Sequence, residues 1–78
     1  MEIISLTTLR PGQQARIHAV HAEDGFRQRL TALGFRSGRV IEMVRSAAFR
    51  GPVQLRVGSA AVILRRAEAE RIEVVRDA

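Results

Sequence analysis

Four features of this 78-residue chain carry side chains whose types and spacing could do chemistry. The first is His18-Ala19-Val20-His21, followed closely by Glu23 and Asp24. In a chain without cysteine, two imidazoles are the leading neutral ligands for a divalent transition metal, and the carboxylates could add oxygens. On a strand, residues three apart point to opposite faces. His18 would then face outward, while His21, at the strand end, could swing. The alternative is two solvent-facing histidines at a strand–loop edge.

The second feature is Thr31 to Ile41, TALGFRSGRVI, with glycines at 34 and 38 and arginines at 36 and 39. A phosphate-cradling loop has a strand before it, a lysine and a hydroxyl after its last glycine, and then a helix. Here a helical pattern comes first, Arg39-Val40 stand where lysine and hydroxyl belong, and a β pattern follows. No helix N-terminus faces the glycines to favour an anion. The stretch reads as a joint: Gly34 ends the helix, Ser37-Gly38 turns the chain, and Arg39 starts a strand. The third feature is the set of serines 5, 37, 46 and 59. None sits in a Gly-x-Ser-x-Gly setting, and no carboxylate is marked to orient either histidine as a base. A chain this small also has little room for a substrate pocket of roughly 300–1,000 Å³. The chain is therefore not expected to be an enzyme.

The fourth feature is Ala48-Phe49-Arg50-Gly51-Pro52. An aromatic residue beside an arginine at a loop tip is the composition of a protein-contact site. Phe49 could instead fold back over the core. Leu33 and Phe35, the apolar residues on either side of Gly34, join Phe49 and Arg50 as candidate partner-binding residues.

These residues need a scaffold, and periodicity outlines one. Leu6 to Gly12 is a lead-in that ends on a Pro11-Gly12 turn. Gln14–Val20 alternates in part, with Ala15, Ile17 and Ala19 on one face, as in a strand. Phe26, Leu30 and Leu33 fall on one helical face, with Asp24 as the expected N-cap. Such a helix of about 9–10 residues is marginal alone and must dock its stripe on a core. Arg39–Arg45 is a strand with Ile41 and Met43 on one side. Val53–Val57 alternates cleanly, with Val53, Leu55 and Val57 inward. Gly58-Ser59 is a tight turn. Ala60–Leu64, AAVIL, reads as a nearly continuous apolar strand, more buried than its neighbours. Arg65–Glu70 has helix propensity over little more than one turn, and Ile72–Val74 is a last strand. About five short strands and one inserted helix predict a mainly β fold, a small barrel closed by the helix at one end; a flat α+β sandwich is the alternative.

Composition bounds the rest. Chains of this length rarely gain more than about 3–5 kcal/mol from a single core, and without cysteine no disulfide supplements it. Self-association would add buried area. No run of about 18 apolar residues is present to span a membrane. The first residues lack the basic and apolar regions of a signal peptide, so the expected compartment is the cytoplasm. The net charge of +5 comes from 13 basic residues, all arginine, which favours an acidic or nucleic-acid partner. Against nucleic acid, the arginines are scattered from Arg10 to Arg76, and the chain has three Phe but no Tyr or Trp for base stacking.

The pattern resembles a known family. Arg27 to Gly38, RQRLTALGFRSG, is similar to the helix and Leu-Gly-x-x-x-Gly signature of ferrous-iron transport protein A (FeoA-like) domains. The lead-in Leu6-Thr7-Thr8-Leu9-Arg10-Pro11-Gly12, the loop Ala47-Ala48-Phe49-Arg50-Gly51-Pro52 and the closing Val62-Ile63-Leu64-Arg65, Ala69 and Ile72-Glu73-Val74 match in the same order. Ala48 departs from the proline common in that loop, and an acid is missing at Arg50-Gly51. The resemblance implies an SH3-like barrel acting as a cytosolic accessory of bacterial ferrous-iron uptake. Its implied partner is the cytosolic region of the ferrous-iron permease, with transition-metal binding as a family association. The competing readings are a nucleic-acid-binding barrel and a metal-sensing domain built on His18 and His21.

Overall fold

The computed structural model describes residues 2–76. Six strands form one antiparallel sheet: β1 (Glu2–Ser5), β2 (Gln14–Val20), β3 (Val40–Ser46), β4 (Val53–Val57), β5 (Ala60–Leu64) and β6 (Ile72–Arg76). Their order across the sheet is β1-β6-β2-β3-β4-β5. Helix α1 (Asp24–Ala32) connects β2 to β3, and the one-turn helix α2 (Arg66–Ala69) connects β5 to β6. A turn of 3-10 helix at Leu6–Thr8 follows β1. The expected mainly β fold with its inserted helix is present, and the short α2 falls where propensity placed it.

The sixth strand is a correction to the expected five. Glu2–Ser5 is only four residues, EIIS, with its apolar residues adjacent rather than alternating. It becomes a strand because β6 offers it an edge, pairing Glu2 with Arg76 through Ser5 with Glu73.

One apolar cluster draws on every element from the 3-10 turn onward. The inward rows of β3 and β4 are completely buried at Ile41, Met43, Val53 and Leu55. β2 contributes Ala15 and Ile17, β5 Val62 and Leu64, and β6 Ile72 and Val74. The alternation in β2 breaks after Ile17. Ile17 pairs with Val74 but Ala19 pairs with Glu73, leaving His18 as the extra residue of a bulge. Ala19 is consequently half-buried rather than part of the inward row. β5 departs furthest from expectation. It lies at the edge of the sheet and alternates, with Ala61 and Ile63 exposed. A continuous apolar run signals a strand without showing that its second face has anything to pack on.

Helix α1 lays Phe26 and Leu30 into the core, while Leu33 stays 40% exposed. Its N-cap is Glu23, without a side-chain capping bond, so Asp24 is the first helical residue instead of the cap. There it still complements the helix dipole. The C-terminus is a Schellman motif. The Gly34 N–H donates to Thr31 O at 3.0 Å and the Phe35 N–H to Leu30 O at 2.9 Å. Gly34 takes φ +101°, as the expected helix stop requires. Phe35 and Leu30 are both buried, which supplies the motif's apolar contact. The chain is then pinned to β2, with the Gly38 N–H donating to Ile17 O and the Ile17 N–H to Arg39 O, each at 2.8 Å.

Two glycines in this region should answer the same substitution with opposite signs. A Cβ at Gly34 meets only Val57 Cγ1, at an ordinary 3.6 Å, so the cost of Gly34→Ala is its left-handed backbone. We expect a loss of about 1–2 kcal/mol. Gly25 lies within α1 with nothing near a new Cβ, and Gly25→Ala should gain about 0.4–1 kcal/mol. Urea unfolding of both variants checks the pair.

Candidate functional site

The β3–β4 loop is built to hold its tip away from the molecule. Its neck closes where the Ala47 N–H donates to Pro52 O at 3.1 Å, and the Gly51 N–H donates to Ala48 O at 3.1 Å. Between them, Phe49 and Arg50 both adopt φ +59°, a left-handed backbone outside glycine. Each such residue costs about 1–2 kcal/mol, so surrounding contacts must hold it. Those contacts come from α2 and its C-cap. Arg66 Nε donates to Gly51 O at 3.1 Å. Its Nη2 donates to Ser46 Oγ at 2.6 Å. The same nitrogen reaches Ala47 O at 3.5 Å. Arg50 Nη2 pairs with Glu70 Oε1 at 3.1 Å. One guanidinium thus spans both sides of the loop, a use of arginine's fixed fork that lysine could not copy.

The result is a presented aromatic. Phe49 is fully exposed and does not fold back over the core. Arg66 and Glu70 are the residues that sequence reasoning missed here. They lie 15–20 positions away from their loop partners, and the only advance signal was the adjacency of Arg65 and Arg66.

The other candidate contact residues do not join this site. Phe35 is 2% exposed and belongs to the core, so its ring is not available to a partner. Leu33 is partly exposed at the end of α1. Gly34 beside it packs near Val57, whereas the Phe49 loop enters β4 at Val53. The two therefore lie at opposite ends of β4, separated by four residue steps, or about 13 Å.

The histidines lie elsewhere again. His18 is the exposed bulge residue of β2. His21 has Nε2 at 2.8 Å from Glu73 Oε1, a half-exposed pair. The oxygens that could have joined it are diverted: Glu23 pairs with Arg71 at 3.1 Å, and Asp24 begins α1. Among the described residues, no group of three or more His, Asp or Glu side chains converges.

Charge is distributed by local pairing. Arg29–Glu68 and Arg71–Glu23 cross a groove of about 320 Å³ between α1 and α2, with Arg29 5.2 Å from the Phe26 ring centre. Two arginines and two glutamates neutralise one another there, and neither a hydroxyl nor an imidazole lines it. A second groove of about 290 Å³ is lined by Arg27, Thr31, Arg36 and Ser37 together with the half-buried Ala19 and Val20.

A family model described as the FeoA domain matches residues 4–76. A Porphyromonas gingivalis (strain ATCC BAA-308 / W83) protein, the Fe(2+) transport protein A/Fe(2+) transporter FeoB fusion protein, is 41% identical over 69 residues, 88% of this chain. This chain spans only 8% of that protein's length. The solution structure of FeoA from Chlorobium tepidum superposes with a TM-score of 0.85 at 32% identity, covering 91% of this chain and 68% of that one. The crystal structure of Stenotrophomonas maltophilia FeoA complexed with zinc, described as a procaryotic SH3 domain protein, gives 0.80 at 32% identity, covering 92% and 89%. The SH3-like expectation for the fold is met.

Arg66→Ala tests the clasp. Loss of its three loop contacts should lower stability by about 1–2 kcal/mol. Amide exchange should speed up at Ala47 and Gly51 by about 5- to 30-fold, in line with that loss of local stability, while Leu55 and Val57 change only with global stability. Exchange followed by NMR reads both.

Proposed function

The chain belongs to the FeoA domain family, and on that premise we propose that it is a non-enzymatic accessory of bacterial ferrous-iron uptake. Its partner in this reading is the cytosolic region of the ferrous-iron permease, and Phe49 and Arg50 form the contact. The carrying observation is the Porphyromonas gingivalis protein, in which a segment similar to this chain shares one polypeptide with a Fe(2+) transporter. A module on its partner's own polypeptide works at high effective concentration, and docking in any arrangement needs a contact surface. The Phe49 loop supplies one: an exposed aromatic, an arginine beside it and a backbone already ordered, which reduces the entropy lost on docking. Among the described residues no helix is long and apolar enough to cross a membrane, and this reading has the chain reach the membrane through the permease.

Titration with the permease's cytosolic region tests the contact. Wild type should bind, and Phe49→Gly should weaken binding at least about tenfold, as loss of an aromatic anchor does. The same substitution should leave the urea midpoint unchanged or higher, because glycine accepts φ +59° without strain. Absence of wild-type binding would remove the reading.

A second reading has its own observation. His21 and Glu73 already bring an imidazole nitrogen and a carboxylate oxygen together at 2.8 Å, and a similar protein from Stenotrophomonas maltophilia was crystallised with zinc. His21 and Glu73 would then form a weak, exchangeable two-donor surface site for a divalent transition metal, which His18 does not join, since four-coordinate sites need more donors than this pair. Adding zinc or ferrous iron should shift or broaden the imidazole resonances of His21, with His18 as the internal comparison. Unmoved resonances at millimolar metal would rule the site out.

A further inference from the structure

Strand β5 ends the sheet, and its outer edge is unguarded. β4 pairs with it along its whole length, from Val57 with Ala60 to Val53 with Leu64, without a register shift. The two-residue turn at Gly58-Ser59 closes this hairpin, which makes Val57 and Ala60 a hydrogen-bonded pair. Alternation then directs the N–H and C=O groups of Ala60, Val62 and Leu64 toward β4 and those of Ala61 and Ile63 away from it. Among the described residues, no backbone hydrogen bond outside the ladder reaches residues 60–64. No side chain bonds to them either.

Protein edges are ordinarily blunted by charge, proline, a bulge or brevity. The opposite edge follows that rule, for β1 is four residues long and carries Glu2, paired with Arg76. β5 has none of these devices. It is AAVIL, with Ile63 70% exposed on the outer face and Ala61 exposed beside it.

We propose that β5 is a dimerisation edge, on which a second copy of this chain adds its own β5 antiparallel about a twofold axis through Val62. This register uses the whole strand. Ala60 lies opposite Leu64 of the second copy, Ala61 opposite Ile63, and Val62 opposite its equivalent. The outward N–H and C=O groups of Ala61 and Ile63 then meet as two equivalent hydrogen-bonded pairs. On the outer face each Ile63 stands against the small Ala61 of the other copy, so the two rows interlock. Arg65 falls opposite Ser59, and the two Arg65 side chains are kept apart. The strand holds no charge to select an acidic or basic foreign strand, and its pattern is complementary to itself, which identifies the occupant as a second copy. The contact is isologous and closes at two.

Sedimentation equilibrium of the whole chain from micromolar to about 1 mM tests this. The wild type should dimerise, and more tightly at high salt, because the +5 charge on each copy repels the other less when screened. Ala61→Pro removes an outward N–H at a place where an edge strand tolerates proline, and Ile63→Lys adds the charge that edges normally carry. Each should weaken the dimer at least about tenfold, with circular dichroism and urea midpoint near wild type at concentrations where the wild type is monomeric. Phe49→Gly should leave the dimer intact. Amide exchange adds a second measurement: Ala61 and Ile63 should gain protection as concentration rises. A wild type that stays monomeric to 1 mM, or a dimer that survives both β5 substitutions, overturns the proposal.

Discussion

The inward row of β4 is the contact on which the rest of this molecule depends. Val53, Leu55 and Val57 are all at most 2% exposed, and they sit between β3 and β5 at the heart of the one apolar cluster. In a small chain without disulfides, that cluster must supply nearly all the burial that offsets chain entropy. Each end of β4 also fixes a neighbouring feature. At Val53 it anchors the Phe49 loop, and at Val57 it supports the glycine that stops α1. Its far neighbour is β5, whose outer edge it leaves free.

Charge plays a local role around this core. Arg66 grips Ser46 at the end of β3 and the Ala47 and Gly51 carbonyls of the β3–β4 loop, and Arg50 is tied to Glu70. Elsewhere, Arg56 pairs with Glu42, Arg76 with Glu2 and Arg71 with Glu23. Exposed pairs of this kind contribute little stability, typically 1 kcal/mol or less each. Their effect is to orient side chains and to break up the positive field. A scattered field of that sort suits a protein-contact module better than a surface that must follow a phosphate backbone.

Much of the scaffold was legible beforehand because its signals are local. The row Val53, Leu55, Val57 alternates without exception, and each of its members is buried. Leu30-Thr31-Ala32-Leu33-Gly34 announced a helix end, and the Schellman bonds are there. What escaped was decided between distant segments. β1 exists because β6 lies beside it. The bulge that places His18 outside the ladder depends on how β2 meets β6. Phe35 follows Gly34 in sequence like a surface residue of the joint, yet the Schellman turn swings it inward.

By itself, then, the amino-acid sequence determined the strand-rich pattern, the inserted helix and its glycine stop. Periodicity and backbone sterics act over a few residues, and a few residues suffice to read them. Only the tertiary structure decided which apolar residues remain outside. Phe49 stands clear because Arg66 and Glu70, remote in sequence, hold its loop from one side. Ile63 is exposed because β5 ends the sheet and nothing covers its outer face. Exposure is a property of what the whole chain places around a side chain, and hydropathy records only the side chain.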